Sequence, residues 1–135
     1  MVLVDTSVMV AFLRGVEERQ VQALEDIIKR GIPFGINHYI YQEIIQGAKS
    51  KSEFNLLIKY LETQRFYDLR NGRKSFEAAA KLYFNCRRKG VTVRSTIDLL
   101  IAQTAIENEL FLLHHDKEFS NIAKVEKDLK EYSIE

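Results

Sequence analysis

Short apolar segments alternate with longer amphipathic segments along this chain. Val2–Val4, Phe34–Ile36 and Leu110–Leu113 are short apolar runs, which are typical of strands buried on both faces of a parallel sheet. Between them, apolar side chains recur every three or four residues, which predicts helices. Two further strands are predicted at Arg65–Leu69 and, at a sheet edge, at Tyr132–Ile134. The pattern therefore predicts an α/β protein with a mainly parallel sheet of four to five short strands, covered by helices on both faces.

The predicted helices begin at residues that commonly cap helices. Asp5 and Asn37 each follow a predicted strand, and Asp116 opens a short helix after the last long strand. Ser95–Asn108 is apolar on nearly every side, so we expect a buried helix there. The remaining predicted helices carry apolar stripes within Val21–Ile28, Phe54–Leu61 and Phe76–Tyr83, the last of these through Phe76, Ala79, Ala80 and Tyr83.

Composition narrows the class of protein. The 135 residues are 46% hydrophobic and 29% charged, which predicts one globular domain over residues 1–135. The net charge of +1 excludes a histone-like polycation, so any contact with nucleic acid must come from local patches. The lone Cys86 excludes an internal disulfide and a cysteine-based zinc site. Because no run is long enough to span a membrane and the N-terminus lacks basic residues, we expect a cytoplasmic protein.

Acidic and polar residues follow the predicted strands. In an open α/β sheet, ligands bind beyond the carboxyl ends of the strands. Asp5 follows the first strand, Asn37 follows the second with Glu43 in its helix, and Asp116 follows the fourth. Glu43 lies six residues beyond Asn37, so it reaches this edge only if its helix crosses the end of the sheet.

Asp98 joins this group through a length argument. About 11 helical steps of ~1.5 Å separate Asp98 from Glu109, a span of ~17 Å. About five strand steps of ~3.3 Å lead from Leu110 to His115, again ~17 Å. If the helix and the strand pack antiparallel, the chain returns to its starting level, and Asp116 arrives beside Asp98.

Four carboxylates in one cleft favour a cation. Asp5, Glu43, Asp98 and Asp116 would repel one another unless a proton or a metal ion compensates their charge. Oxygen ligands without a cysteine or an obvious histidine pair favour Mg²⁺ or Mn²⁺ over zinc. Such an ion supports the hydrolysis of a phosphodiester by an activated water. The sequence thus predicts a metal-dependent nuclease site.

Each acid also has a purely structural interpretation. Asp5 and Asp116 are good helix N-caps. Asp98 could form a capping box with Ser95, and Glu43 could be a solvated helix residue. Asp98 argues against this interpretation, because burying an unpaired acid in an apolar helix is costly.

Four short segments of the sequence, taken together, resemble the motifs of a known family. VDTSV at Val4–Val8, YQEI at Tyr41–Ile44, STIDLLIA at Ser95–Ala102 and LHHDKEF at Leu113–Phe119 resemble the PIN domain, specifically the VapC toxins of toxin–antitoxin pairs. The resemblance covers essentially the whole chain, in order. It implies a three-layer α/β/α PIN-like fold.

The resemblance also implies a function. It implies a metal-dependent endoribonuclease that uses Mg²⁺ or Mn²⁺, is inhibited by a cognate VapB-type antitoxin and forms a homodimer. Ser120 departs from the family pattern, because some members carry a further acid there, and this leaves open whether one metal ion binds or two. By position, the acidic quartet is Asp5, Glu43, Asp98 and Asp116, with Thr6, Ser7, Ser95 and Thr96 as auxiliary polar residues.

Basic and imidazole side chains near these motifs are further candidates. Arg87, Arg88 and Arg94 flank the loop that leads to Ser95, and they could hold RNA phosphates, as could Arg14 and Lys117. A purely structural explanation is that basic residues at a helix C-terminus complement its dipole. The adjacent His114 and His115 should point to opposite sides of a strand, which disfavours a paired acid–base role.

Other functions remain open at this point. Phosphatases of the haloacid dehalogenase type also place an Asp after the first strand, but they use a second Asp two positions later, where this chain has Ser7. A receiver domain would need a phosphorylated Asp after the third strand, whereas Asp68 lies inside it. The sequence is also compatible with a non-toxin RNA-processing nuclease and with a non-catalytic interaction domain.

Overall fold

The structure is a computed structural model that describes residues 1–134. Its sheet contains β1 (Val2–Val4), β2 (Phe34–Gly35), β3 (Phe111–Leu113) and β4 (Lys130–Glu131). The strands lie in the order β2-β1-β3-β4, and all three pairings are parallel. The predicted short-stranded parallel sheet is confirmed.

Within residues 1–134 seven helices flank this sheet, and the residues that cap them are largely those predicted. Asn37 Oδ1 accepts the Ile40 N–H at 2.8 Å, and Ser95 and Asp116 also accept capping bonds through their side chains. The helices are α1 (Thr6–Leu13), α2 (Arg19–Lys29), α3 (His38–Gln46), α4 (Lys51–Leu61), α5 (Arg73–Arg88), α6 (Thr96–Glu107) and α7 (Lys117–Val125).

The core lies between the sheet and these helices. All three residues of β1 are buried, as are the last two of β3. The helix α6 is buried over Leu99–Ala105, as its continuous apolar sequence predicts. Because α6 runs antiparallel to β3, its first turn lies level with the carboxyl ends of β1 and β3, where a ligand site of an α/β sheet is expected.

The prediction of a strand at Arg65–Leu69 is wrong. Only Phe66 forms a bridge, with Ile36. A Cβ at Gly35 would collide with the Arg65 carbonyl oxygen, so glycine permits this close approach. Beyond the bridge the backbone turns to the end of α6, where Arg70 N–H donates to Glu107. The Arg65 carbonyl and the Tyr67 N–H pair with Ile36, as in a parallel strand. The Asp68 carbonyl instead accepts from the Asn108 side chain at the end of α6, so the strand pairing goes no further.

The predicted edge strand is present but begins two residues earlier. It covers Lys130–Glu131 instead of Tyr132–Ile134, because Lys130 and Glu131 are the residues in register with β3. The Tyr132 N–H still donates to the Leu112 carbonyl. Because β3 ends at Leu113, residues 133 and 134 lie beyond its end.

The buried face of α5 also differs from the prediction. Ala79 is buried, but Phe76 and Tyr83 are 49% and 37% exposed. Apolar residues occur on several sides of this helix, so periodicity alone did not select the inward face. The packing of α5 against α6 and α7 selects Ser75, Ala79, Leu82 and Cys86. Among the residues that the structure describes, no helix has both the length and the apolarity to span a bilayer.

Candidate active site

Asp5 lies at the centre of the sheet's carboxyl edge. It follows β1, its N–H donates to the Leu113 carbonyl of β3 at 3.0 Å, and it is only 6% exposed. Its side chain makes no capping bond to α1 but accepts the Ser7 hydroxyl at 3.1 Å. Burial raises the pKa of Asp5 and outweighs the hydrogen bonds that would lower it. The capping interpretation therefore does not explain this carboxylate.

Glu43 reaches the same edge because α3 crosses it. The helix packs against both α1 and α6, and the Thr6 hydroxyl donates to Glu43 Oε1 at 2.6 Å. The condition that the sequence could not settle is thus met. Thr6 and Ser7, adjacent in α1, each orient a different carboxylate.

Asp98 and Asp116 meet as the length argument predicts. Carboxylate oxygens of Asp98, Asp116 and Glu118 all lie within 4.8 Å of one another. Asp116 Oδ1 accepts the Glu118 N–H at 2.9 Å, so the capping interpretation of Asp116 is confirmed as well, through one of its two oxygens. Ser95 caps α6 by accepting the Asp98 N–H at 3.3 Å.

The electrostatics show that all these acids share one site. Burial raises the pKa of Asp98 to about 7, and the negative charges of four neighbouring acids contribute to that rise. Within residues 1–134, no Lys or Arg forms an ion pair with these carboxylates. Ion pairs of the described Lys and Arg residues therefore do not compensate the charge of the cluster. The acid cluster, as we call it below, consists of Asp5, Glu43, Asp98, Asp116 and Glu118.

Glu118 belongs to the cluster although its sequence context does not mark it as a site residue. The signal was an acid in the first turn of α7, two residues after Asp116, but acids are common in first turns. Its Oε1 accepts the Arg94 N–H, which ties the loop before α6 to the cluster. Ser120, where a further acid was considered, instead donates its hydroxyl to Glu131 at 2.7 Å.

The other predicted polar and basic residues lie beside the cluster, in a neighbouring groove or at the end of α5. Arg14 lines a cavity together with Glu43, and Lys117 lines another together with Asp116. Thr96 and the Arg94 side chain line a groove between α5 and α6. Arg87 and Arg88 occupy the last turn of α5, where they complement the helix dipole.

The donor set of the cluster fits a hard divalent cation. Every donor is a carboxylate oxygen, three of the carboxylates approach within 4.8 Å, and their mutual repulsion is what a cation relieves. Magnesium and manganese suit such all-oxygen sites.

Comparison with known proteins agrees with this geometry. The family model of the PIN domain matches residues 2–125. The chain belongs to the PIN domain family. It is 29% identical over 126 residues to VapC ribonuclease Mb1587 of Mycobacterium bovis and to Ribonuclease VapC11 of Mycobacterium tuberculosis, with 93% of each chain covered.

Solved structures share the PIN fold. VapBC2 from Rickettsia felis, bound to a promoter DNA fragment, superposes with a TM-score of 0.74 at 16% identity and covers both chains fully. FitAcB from Neisseria gonorrhoeae gives 0.69 at 20% identity, covering 98% of this chain and 97% of the other. The predicted α/β/α PIN fold is confirmed.

Proposed function

We propose that this PIN domain is a Mg²⁺- or Mn²⁺-dependent endoribonuclease and the toxin of a type II toxin–antitoxin pair, acting in the cytoplasm. The observation that carries the proposal is the convergence of five carboxylates at the carboxyl edge of the sheet, none of which forms an ion pair with a Lys or Arg of residues 1–134. The names of the VapC relatives support ribonuclease activity.

In this proposal the acids of the cluster bind the cation, and two hydroxyl groups orient the acids. Asp98, Asp116 and Glu118 are placed to hold the cation, with Asp5 and Glu43 completing the negative site. A divalent ion there supplies an activated water and neutralises charge on the phosphoryl group. Thr6 and Ser7 orient Glu43 and Asp5 by donating their hydroxyl hydrogens.

Basic residues near the cluster would bind RNA phosphates. Arg14 shares a cavity with Glu43, and Lys117 shares another with Asp116. Arg94 is held next to Glu118 through its backbone. Arg87 and Arg88 would act further out. Phosphate contacts of this kind orient a substrate and make binding depend on salt.

An apolar groove beside the acid cluster supports binding of a VapB-type antitoxin. This groove of about 720 Å³ lies between α1, α3 and α4 and reaches Glu43 and Arg14. Leu56, one of its lining residues, is 67% exposed. A partner segment lying there would cover apolar surface and obstruct the cluster. The solved structures that share this fold include VapBC and FitAB complexes.

Homodimerisation is the remaining expectation. Phe76, Tyr83 and Phe84 leave aromatic surface exposed along α5, and removing such surface from water favours association. Light scattering after gel filtration measures the oligomeric state directly.

The test of the function is cleavage of total RNA by purified protein, freed of any bound partner, in Mg²⁺ or Mn²⁺. We expect discrete fragments that disappear with EDTA and in Asp5→Asn. Unchanged cleavage by Asp5→Asn would contradict the site. Absence of metal binding at the cluster would favour a non-catalytic interaction domain. Cleavage without inhibition by the product of a neighbouring gene would favour an RNA-processing nuclease.

A further inference from the structure

A histidine lies directly behind the acid cluster. The His114 side chain, just after β3, is 9% exposed, and its ring is 5.2 Å from that of Phe119. Its Nδ1 accepts the backbone N–H of Asp116 at 3.1 Å, and its Nε2 lies 2.7 Å from Glu131 Oε2. The same Glu131 oxygen accepts the Ser120 hydroxyl at 2.7 Å.

These partners determine which ring nitrogen carries the hydrogen. A backbone amide can only donate, so Nδ1 of His114 must be unprotonated to accept from Asp116. Nε2 then carries the hydrogen and donates it to Glu131. Burial alone would raise the pKa of Glu131, but the hydrogen bonds from Ser120 and His114 outweigh it and hold that pKa below its usual range. Glu131 therefore stays an acceptor.

The bond from Asp116 N–H to His114 fixes one peptide on which two cluster residues depend. Asp116 is the N-cap of α7, and its Oδ1 accepts the Glu118 N–H. The orientation of this peptide thus affects how both carboxylates face Asp98. Asp116 is exposed, so packing around its own side chain cannot hold it in place.

We infer that His114 and Glu131 are positioning residues of the candidate cation site: Glu131 keeps the His114 ring in its Nε2–H form, and Nδ1 of that ring holds Asp116 and Glu118 ready for the cation. The inference rests on the proposed function, because it assumes that a cation binds at these carboxylates. Partners that orient metal ligands in this way commonly change metal affinity by about 10- to 100-fold when removed.

The neighbouring histidine provides a matched control. The His115 side chain is 59% exposed, and its Nδ1 is 3.8 Å from Glu18. Within residues 1–134 it differs from His114 in making no hydrogen bond to Asp116 or Glu131. His115→Gln should leave cation binding as it is in the wild type.

The first experiment reads the tautomer in the metal-free protein. Two-bond proton–nitrogen NMR spectra of the histidine rings distinguish protonated from unprotonated nitrogens. We expect hydrogen on Nε2 of His114 and none on Nδ1, as its hydrogen bonds to Glu131 and Asp116 require. Hydrogen on Nδ1, or a ring that exchanges between both forms, would overturn the inference without reference to any metal.

The second experiment separates the two ring nitrogens. His114→Asn retains an acceptor close to the position of Nδ1, whereas His114→Gln retains a donor close to that of Nε2. Both remove the ring from Phe119, so both lose similar packing. Titration with Mn²⁺, followed by electron paramagnetic resonance, should give an affinity for Asn within about threefold of the wild type and for Gln weaker by about tenfold or more.

The outcomes separate this inference from the proposed function. Equal Mn²⁺ affinities for His114→Asn and His114→Gln, with the wild type binding normally, would overturn the positioning role alone. A wild-type protein that binds no Mn²⁺ would overturn the proposed function and, with it, the inference. A tenfold loss in His115→Gln would show that any histidine change perturbs the site, and would also overturn it.

Discussion

The helix α6 carries a carboxylate near each end, and the two meet opposite surroundings. Glu107, its last residue, accepts hydrogen bonds from Arg70 N–H at 2.7 Å, Gln103 at 2.8 Å and Ser75 at 2.9 Å. Burial alone would raise the pKa of Glu107, but these bonds outweigh it and lower that pKa. Asp98, in the first turn, faces other acids, and burial together with their charge raises its pKa to about 7.

The different surroundings distinguish Glu107, which stabilises the fold, from Asp98, which is suited to binding a ligand. Hydrogen-bond donors around Glu107 stabilise its ionised carboxylate. The same hydrogen bonds join α6 to α5 and to the loop before α5. Asp98 destabilises the metal-free fold when it ionises, so the rest of the fold must hold it in place. Acids that are repelled in this way occur where a protein binds a cation or performs chemistry.

The largest expected effect is on cleavage. In the proposed site Asp98→Asn removes one of the charges that would hold the cation, so we expect RNA cleavage to fall at least about 100-fold. Glu107→Gln should cleave at nearly the wild-type rate once folded. Rates on one RNA fragment, measured at saturating Mn²⁺, test this. Comparable losses in both variants would mean that the two ends of α6 do not differ in function.

The second largest expected effect is a loss of folding stability when Glu107, at the C-terminal end of α6, is replaced. Glu107→Ala removes the acceptor of Ser75, which is 0% exposed, and we expect unfolding to become easier by about 2 kcal/mol. Urea denaturation monitored by circular dichroism measures the change. Mn²⁺ affinity of the folded variant should be unchanged, and a weaker affinity would contradict the separation of roles.

Asp98→Asn should do the opposite and stabilise the metal-free protein. The pKa shift of Asp98 from 3.8 to about 7 corresponds to about 4 kcal/mol, but solvent screens a half-buried group. We therefore expect a gain of about 1 to 2 kcal/mol in the free energy of unfolding in EDTA. Equal or lower stability would indicate that Asp98 acts chiefly in the first turn of α6 and not in a repelling cluster.

The smallest effect is the dependence of that gain on pH. Between pH 4 and pH 7, Asp98 is protonated to a greater extent in the folded protein than in the unfolded chain, because the pKa of Asp98 is higher in the folded state. The wild type therefore loses stability as the pH rises through this window. The gain in Asp98→Asn should vanish near pH 4 and grow by about 0.5 kcal/mol per pH unit toward pH 7. A constant difference would contradict the shift.

Local patterns predicted most of the fold. The bounds of α6 follow from Ser95 and Asn108, which cap it at either end, and the Asn37 cap of α3 was also recognisable. Arg65–Leu69 was not predictable, because its alternation resembles a strand while its strand pairing stops after a single bridge to Ile36 and its Asp68 carbonyl bonds to the end of α6. Local sequence does not show which partner a peptide group will find.

The site was predicted in part for the same reason. Asp98 and Asp116 met because one helix and one strand of known length connect them. Glu118 was overlooked because an acid in a first turn is ordinary, and only the approach of Asp98 makes it part of a cluster. Arg87 and Arg88 lie on α5 as predicted, but whether they contact RNA remains a prediction.

By itself, the sequence determined the parallel α/β order, the caps and the acids that follow the strands, because each depends on neighbours close in the chain. The tertiary structure alone decided three things. It carried Glu43 to Thr6 by crossing α3 over the sheet edge, it set the inward face of α5, and it joined His114 to Glu131. Each depends on how elements distant in sequence pack, and no local pattern encodes that geometry.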